Sequence, residues 1–448
     1  MVLLEGFNTL LSVFRHVEPI LVLEQLGNCL FDTALQLLVR DQCSNASYPG
    51  LSPEESRQKA MSDFYLSYNL ILRLLPILPA LLLGKVSDRG WRRSPIVVSL
   101  SGYLLSRLCL LLVLLLRLPI QVMFAGAVLF GLGGGFTAFW PGVMTLVSLR
   151  STTADRSKVM MRVELLYGAA GVVGSLVSGH LFTLFNATLG HGVVLLIVSS
   201  LLHLVALLLA IFMLQVKVVS TSESDESHSL CHTVEDDDQP DANASVEAPA
   251  GINWVNVVLL FAAAILYDFA VGGAITILGV FVLKEPLSWN ATQVGYGNAA
   301  GCTIFLTSFL GVMLFRRCVG DTSLILIGMV SFASGIYFMS FVTATYMFYL
   351  ARSLNLFALI PLPTIRSLLS QQVAPSSYGT ILTSLQFSFT LASLAYLPAF
   401  TKIYQGTLTW FPGFVFLMAS VFTVLAMIPI SISSCRLPRG RCSTDIQD

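Results

Sequence analysis

The chain has 448 residues, of which 55% are hydrophobic and only 11% are charged. Soluble domains carry roughly 25% charged residues, so this composition excludes a soluble globular core and is typical of many membrane-spanning helices. The formal net charge is zero, which gives no field that would attract a nucleic-acid polymer.

Twelve apolar segments of spanning length follow one another along the chain. They predict an all-α integral membrane protein with twelve transmembrane helices. We predict these spans near residues 17–39, 64–84, 94–116, 121–148, 159–185, 190–215, 253–283, 294–315, 322–343, 346–369, 379–401 and 409–433.

An acidic stretch separates the sixth predicted span from the seventh. Residues 218–251 include SESDES and EDDDQPD and are predicted to form a disordered cytosolic linker. The linker divides a six-helix bundle at 17–217 from a second six-helix bundle at 252–434. Residues 1–16 and 435–448 are predicted to be a cytosolic N-terminal segment and a cytosolic tail.

Basic residues and glycosylation sequons indicate the same orientation. Most loop arginines and lysines fall on the side that holds both termini, which predicts that both termini are cytosolic. The sequons at Asn45, Asn186 and Asn290 then lie in outer loops, where N-glycans are added. A fourth sequon, at Asn243, lies in the linker and is expected to stay unmodified.

The loop between spans 2 and 3 is the most specific motif in the chain. It reads GKVSDRGWRR and resembles the signature loop of major facilitator transporters, G-x-x-x-D-R-x-x-R-R. The resemblance implies a gating latch, whose residues are Gly84, Asp88, Arg89, Arg92 and Arg93. A plain positively charged cytosolic loop is the alternative interpretation.

Ionisable residues within the spans are costly in hydrocarbon, and they usually face a cavity or a partner. Arg352 and Arg366 are predicted to bind anionic groups, because the guanidinium fork suits carboxylates and phosphates. Glu164, Asp268 and Asp32 are candidates for proton binding. Structural ion pairs between helices are the alternative for these residues, and also for three further charged residues in spans, Glu24, Arg73 and Arg107.

Aromatic residues follow a glycine run in span 4. Phe136 and Trp140 are candidates for stacking on a flat ligand, although packing between helices is the alternative interpretation. No Walker-type loop follows the glycines, which argues against an ATP-driven pump. The cysteines show neither CxxC nor Cys/His spacing, so we expect no metal site.

Several segments resemble solute carrier family 46, the family of the proton-coupled folate transporter. These segments include PLSW with GYG at 286–297, LTSFLG at 306–311 and TIRSLLS at 364–370. The resemblance covers nearly the whole chain and implies a major facilitator fold of two six-helix bundles. It also implies import of small organic anions such as cyclic dinucleotides, muropeptides or antifolate-like conjugates.

The same resemblance assigns roles to individual residues. Glu164 matches an acidic residue that is important in the folate-transporting member, and Arg366 matches its span-10 arginine. Gly135 and Val271 stand where that member has an aspartate and a histidine. These two differences argue against folate as the substrate.

We therefore expect a secondary active transporter that imports small organic anions by alternating access, with the proton as candidate coupling ion and no cofactor. We expect no enzymatic activity. The partners are an anionic small molecule and the lipid bilayer, and we expect a monomer in the plasma membrane rather than an endolysosomal membrane. The alternatives are a non-transporting receptor or scaffold with this fold, and a channel.

Overall fold

The computed structural model describes six parts of the chain, and in them the regular structure is helical. These parts are residues 16–150, 156–189, 192–214, 254–315, 319–372 and 378–436. Residues 1–15, the acidic linker with Asn243 and the end of the predicted cytosolic tail lie outside the described residues.

The described residues of the N-terminal half form eight α-helices. The last of them continues into a short π-helical turn, Leu209–Met213. The helices are α1 (Glu18–Gln42), α2 (Pro53–Leu74), α3 (Ile77–Asp88), α4 (Ser94–Leu115), α5 (Met123–Leu132), α6 (Gly135–Arg150), α7 (Arg156–Leu189) and α8 (Val193–Leu208).

In the C-terminal half, seven α-helices lie within the described ranges. They are α9 (Trp254–Phe281), α10 (Ala291–Phe315), α11 (Asp321–Met339), α12 (Thr345–Leu354), α13 (Pro361–Gln371), α14 (Tyr378–Thr407) and α15 (Phe414–Arg436).

Within the described residues, nine helical runs are long and apolar enough to cross a membrane, with the α2–α3 and α5–α6 pairs each counted as one run. Helices α1, α12–α13 and α14 fill the three remaining predicted positions. Helix α1 carries Glu24 and Asp32, and α12 and α13 are each too short to span alone. The chain is therefore an all-α membrane protein with twelve spans in two six-helix bundles.

Three of the predicted spans are broken helices rather than continuous ones. Span 2 starts earlier than residue 64, because Ser52 and Glu55 form a capping box that begins α2 at Pro53. The span then breaks at Pro76, which lacks the backbone N–H that a continuous helix needs. Span 4 breaks at Gly134, whose φ of +81° is left-handed.

The third break lies in span 10, between Leu354 and Pro361. Helix α13 begins at that proline, because proline suits the first turn of a helix, where no backbone donor is needed. The hydroxyls of Ser308 and Ser331 accept hydrogen bonds from backbone N–H groups within the break, at 3.2 Å each. The irregular backbone is therefore satisfied by neighbouring helices within the bundle.

The two halves approach most closely where α7 crosses α10. A Cβ atom on Gly295 would lie 2.6 Å from the carbonyl oxygen of Ser175, and one on Gly179 would lie 2.8 Å from that of Ala291. Only residues without side chains allow backbones to approach this closely. Small residues therefore set the distance between the halves at this crossing.

Candidate functional site

A cavity of about 730 Å³ lies between the two halves. Its walls come from α1, α2, α4, α5, α6 and α7 of one half and from α9, α10, α11, α12 and α14 of the other. Small-molecule sites usually occupy about 300–1,000 Å³, so the cavity suits a drug-sized ligand. Its place between the two halves is where transporters of repeat architecture bind their substrates.

The charged side chains that line the cavity are mostly basic. Arg73, Arg107 and Arg352 contribute three positive charges, and Asp32 contributes one negative charge. The Asp32 side chain is exposed although its helix lies at the centre of the bundle, because it projects from the cavity wall. The charged side chains around the cavity therefore carry a net positive charge.

Arg352 is the basic residue of the C-terminal half in this site. Its guanidinium carbon lies 5.3 Å from the centroid of the Phe348 ring, and its buried Nε has no hydrogen-bond partner among the described residues. No carboxylate of the described residues pairs with it. A guanidinium group in a membrane interior needs a counter-charge, so this side chain is available to an anion.

Arg107 is nearly buried, with 4% of its surface exposed. Its guanidinium carbon lies 4.0 Å from the Phe31 ring centroid and 4.9 Å from that of Tyr103, and its Nη2 donates a hydrogen bond to Asn28 Oδ1. Its positive charge also acts on Asp32. Arg107 and Asp32 therefore attract each other by charge, and no direct ion pair between them is seen among the described residues.

Four polar residues of α1 line the cavity, and three of them were missed by the sequence analysis. Gln25, Asn28 and Gln36 accompany Asp32 along one face of the helix. Their separations of three, four and four residues are the helical repeat. Polar residues that recur at this spacing in the sequence of span 1 therefore mark the side of the helix that faces the cavity.

Three predicted site residues lie outside the cavity lining but close to one another. Arg366 is half-buried on α13, where its Nη2 donates to Gln386 Oε1 at 3.3 Å. Its positive charge acts on both Glu164 and Asp268. The cavity residue Arg73 also acts on Asp268, so this cluster and the cavity are electrostatically linked.

The two aromatic candidates differ in position. Phe136 lines the cavity with 42% of its surface exposed, whereas Trp140 stands behind it with a ring-centroid separation of 5.5 Å. Trp140 in turn lies 5.2 Å from the Tyr167 ring. Phe136 is therefore placed to contact a ligand, and Trp140 to position Phe136.

At one end of the cavity, polar contacts join the two halves. Lys402 Nζ lies 3.1 Å from Asp63 Oδ1, and Gln405 Nε2 donates to the same carboxylate at 2.7 Å. Arg40 Nη1 donates to the Trp289 carbonyl oxygen at 2.7 Å. These contacts join α2 to α14, and the end of α1 to Trp289, two residues before α10 begins. Together they close this end of the cavity.

Two of the predicted glycosylation sites lie at the closed end. Asn45 and Asn290 are exposed, and each lies a few residues from one partner of the Arg40–Trp289 contact. Asn290 Oδ1 accepts from the Gln293 backbone N–H, which leaves its Nδ2, the atom that carries an N-glycan, outside this contact. The side chain of Asn186 lies outside the described residues.

The predicted latch loop joins α3 to α4. Gly90 adopts φ +104°, and the Nη1 atom of Arg93 donates to the Ile211 carbonyl oxygen at 3.4 Å. Gly84 has open space around the position of a Cβ atom. The described contact thus ties the loop to its own half, and the Asp88 side chain is outside the described residues.

Comparisons with known proteins identify the family. Residues 70–395 match the family model of the Major Facilitator Superfamily. The chain is 42% identical to solute carrier family 46 member 2 of Canis lupus familiaris, over 94% of this chain and 93% of that protein. It is 28% identical to the lysosomal proton-coupled steroid conjugate and bile acid symporter of Homo sapiens, over 92% and 88%.

Solved structures share the fold at low sequence identity. The xylose transporter XylE from E. coli, in a partially occluded inward-open conformation, has a TM-score of 0.64 with 13% identity, over 95% of this chain and 99% of that one. The human organic anion transporter MFSD10 has a TM-score of 0.60 with 14% identity, over 93% and 99%.

The family matches extend over almost the whole chain, and the fold and its central cavity agree with them. They confirm the predicted major facilitator fold and the resemblance drawn from the sequence. The relatives are transporters rather than enzymes, which confirms that expectation too. The chain belongs to solute carrier family 46 of the major facilitator superfamily and is a multi-pass membrane transporter.

Proposed function

We propose that this transporter imports small organic anions by alternating access. The observation that carries the proposal is Arg352, a guanidinium group on the cavity wall with no carboxylate partner among the described residues. The surplus of basic over acidic groups around the cavity supports the same ligand charge. Arg366 joins as a second anion-attracting group next to the cavity, and Phe136 contacts the apolar part of the ligand.

The closed end of the cavity supports an alternating-access cycle. We assign this end to the outer face, because Asn45 and Asn290 lie there. The conformation is then inward-facing, with the outer gate held by Asp63 and Lys402. Opening this gate while the cytosolic side closes, with the latch loop holding the alternate state, would expose the same cavity to the outside.

Protons are proposed to accompany the anion. Asp32 lines the cavity, and Glu164 and Asp268 stand within the field of Arg366, so each carboxyl group has a cationic neighbour that an anionic substrate would compete for. One relative is named as a proton-coupled symporter, which supports this reading.

The proposed substrate class joins an anionic group to a ring-containing apolar body. Steroid conjugates and bile acids, named for one relative, have this character, as do cyclic dinucleotides, muropeptides and antifolate-like conjugates. Each offers a carboxylate, sulfate or phosphate for Arg352 and an apolar surface for Phe136. We also propose that the protein is a monomer and that it resides in the plasma membrane. Surface biotinylation would test this location against the lysosomal one named for that relative.

Replacing Arg352 with glutamine is expected to lower the uptake of an anionic probe at least about tenfold, because a charge-assisted hydrogen bond of about 1.5–3 kcal/mol is lost. The measurement is the initial uptake of labelled steroid sulfate, bile acid, cyclic dinucleotide and muropeptide into cells that express the protein. Arg117→Gln is the matched control, since Arg117 is exposed in the turn after α4.

Equal uptake by the wild-type protein and Arg352→Gln, at equal surface abundance, would contradict the anion site. Binding of a probe at the cell surface without uptake would instead favour the receptor alternative.

A further inference from the structure

The carboxyl group of Glu24 lies behind the cavity wall and is not used by the proposed transport site. Glu24 has no exposed surface, and its Oε1 accepts a hydrogen bond from Asn28 Nδ2. Its Oε2 is buried and accepts no hydrogen bond of ordinary geometry among the described residues, although the Tyr103 hydroxyl lies close enough to interact with the carboxyl group. A buried ionised carboxylate with an unpartnered oxygen is unfavourable, so this atom is suited to carry a proton.

Asn28 connects this carboxyl group to the cavity. Its Oδ1 accepts the hydrogen bond from Arg107 Nη2, so the amide stands between the carboxyl group of Glu24 and the guanidinium group. Arg107 also acts on Asp32, which projects into the cavity. One guanidinium group therefore has two competing negative neighbours, one buried and one facing the ligand.

The other titratable and charged groups around Glu24 come from every helix that packs on α1. His203 on α8 stacks on Tyr103 at 5.5 Å and has a buried Nε2 without a partner among the described residues. Beside Arg107 and Asp32, the groups that interact with Glu24 are Tyr103 of α4, Tyr167 of α7 and Cys29 of α1 itself. Tyr68 of α2 and His203 of α8 interact with Arg107, and Cys302 of α10 interacts with Cys29. Arg107 supplies the positive charge of the cluster.

We propose that Glu24 is a proton-binding group that controls how strongly Arg107 attracts an anion in the cavity. This inference rests on the proposed anion transport. When Glu24 is ionised, its negative charge attracts the guanidinium group of Arg107, with the Asn28 amide hydrogen-bonded to both groups. When a proton from solution binds to Oε2, Glu24 becomes neutral. The positive charge of Arg107 then attracts only Asp32 and the anionic ligand. By linkage, proton binding and anion binding strengthen each other.

Glutamine at position 24 imitates the protonated carboxyl group, because it is neutral and keeps the acceptor for Asn28. The probe is a steroid sulfate, whose charge is the same at about pH 5.5 and about pH 7.4, so any pH dependence of its binding belongs to the protein. We expect purified wild-type protein to bind it at least about threefold more tightly at the lower pH. We expect Glu24→Gln to bind tightly at both.

Glu18→Gln is the matched control, because Glu18 lies on the same helix and its Oε2 is also buried without a hydrogen-bond partner among the described residues. In contrast to Glu24, 39% of its side chain is exposed and it faces His16 rather than Arg107. This variant is expected to keep the wild-type pH dependence. Wild-type pH dependence in Glu24→Gln would overturn the proposal.

A second readout needs no ligand and separates this proposal from the proposed function. Infrared difference spectra between the two pH values are expected to contain the carbonyl band of a protonated buried carboxyl group in the wild type. The band is expected to disappear in Glu24→Gln and persist in Glu18→Gln. A wild-type band that persists in Glu24→Gln would overturn the role of Glu24. If the steroid sulfate does not bind but the band is lost in Glu24→Gln, the proposed anionic substrate class is overturned. Glu24 would still be identified as the proton-binding group.

Discussion

A disulfide between positions 183 and 292 is expected to abolish transport. Thr183 on α7 and Thr292 on α10 belong to opposite halves, and their hydroxyl oxygens are 2.8 Å apart. Cysteines at these positions place two sulfur atoms close enough to bond, provided that the rotamers are kept. Because alternating access must separate the halves at this end, we expect oxidation of Thr183→Cys/Thr292→Cys to lower uptake at least about tenfold, and a reductant to restore it.

The control for this experiment is a cross-link within one half. Thr33 and Ser178 also have hydroxyl oxygens 2.8 Å apart, but both lie in the N-terminal half, on α1 and α7. A disulfide in Thr33→Cys/Ser178→Cys leaves the movement between halves free, so uptake should persist. Thr292→Cys alone reports any effect of altering the sequon at Asn290. Undiminished uptake by a fully oxidised 183–292 cross-link would contradict alternating access through this opening.

Leucine at position 295 is expected to be the most damaging substitution at the contact between the halves. A Cβ atom there would lie 2.6 Å from the Ser175 carbonyl oxygen and 3.1 Å from the Cα atom of Gly179, and these are backbone atoms that cannot rotate away. Overpacking costs about 1–3 kcal/mol or more, and each 1.4 kcal/mol shifts an equilibrium tenfold. The conformation in which this end is closed should therefore lose most of its population.

The measurement for Gly295→Leu combines uptake with cell-surface abundance. We expect uptake to fall at least about tenfold while abundance stays near that of the wild type, since the overlap lies between the halves rather than within either of them. Gly406→Leu is the control, because Gly406 has open space around its Cβ position. Normal uptake by Gly295→Leu would mean that α7 and α10 do not need this close contact.

The apolar segments predicted the number and order of the spans, because a hydrocarbon environment requires continuous helices of about 20 residues. The breaks at Pro76 and Gly134 were not predicted. Hydropathy averages over a window and does not respond to one residue that lacks a backbone donor or adopts a left-handed conformation. Span 10 differs, because Pro361 and Pro363 are visible in its sequence and prolines inside a predicted span indicate a break.

The candidate site was predicted in part. Arg352, Asp32 and Phe136 line the cavity, whereas Arg366, Glu164 and Asp268 form a cluster next to it. Charge inside a span identifies a residue that needs a partner, but not whether that partner is a ligand or a neighbouring helix. In a helix that is apolar on most sides, the direction of one charged side chain depends on how the helices pack.

We infer that the cavity recognises the negative charge of its ligand through Arg352. The most direct measurement compares the dissociation constant of a steroid sulfate with that of its uncharged parent steroid, on purified wild-type protein and on Arg352→Gln. We predict that the wild type prefers the sulfate at least about tenfold, and that Arg352→Gln loses most of this preference. Equal affinity of the wild type for both steroids, or an unchanged preference in Arg352→Gln, would contradict the account.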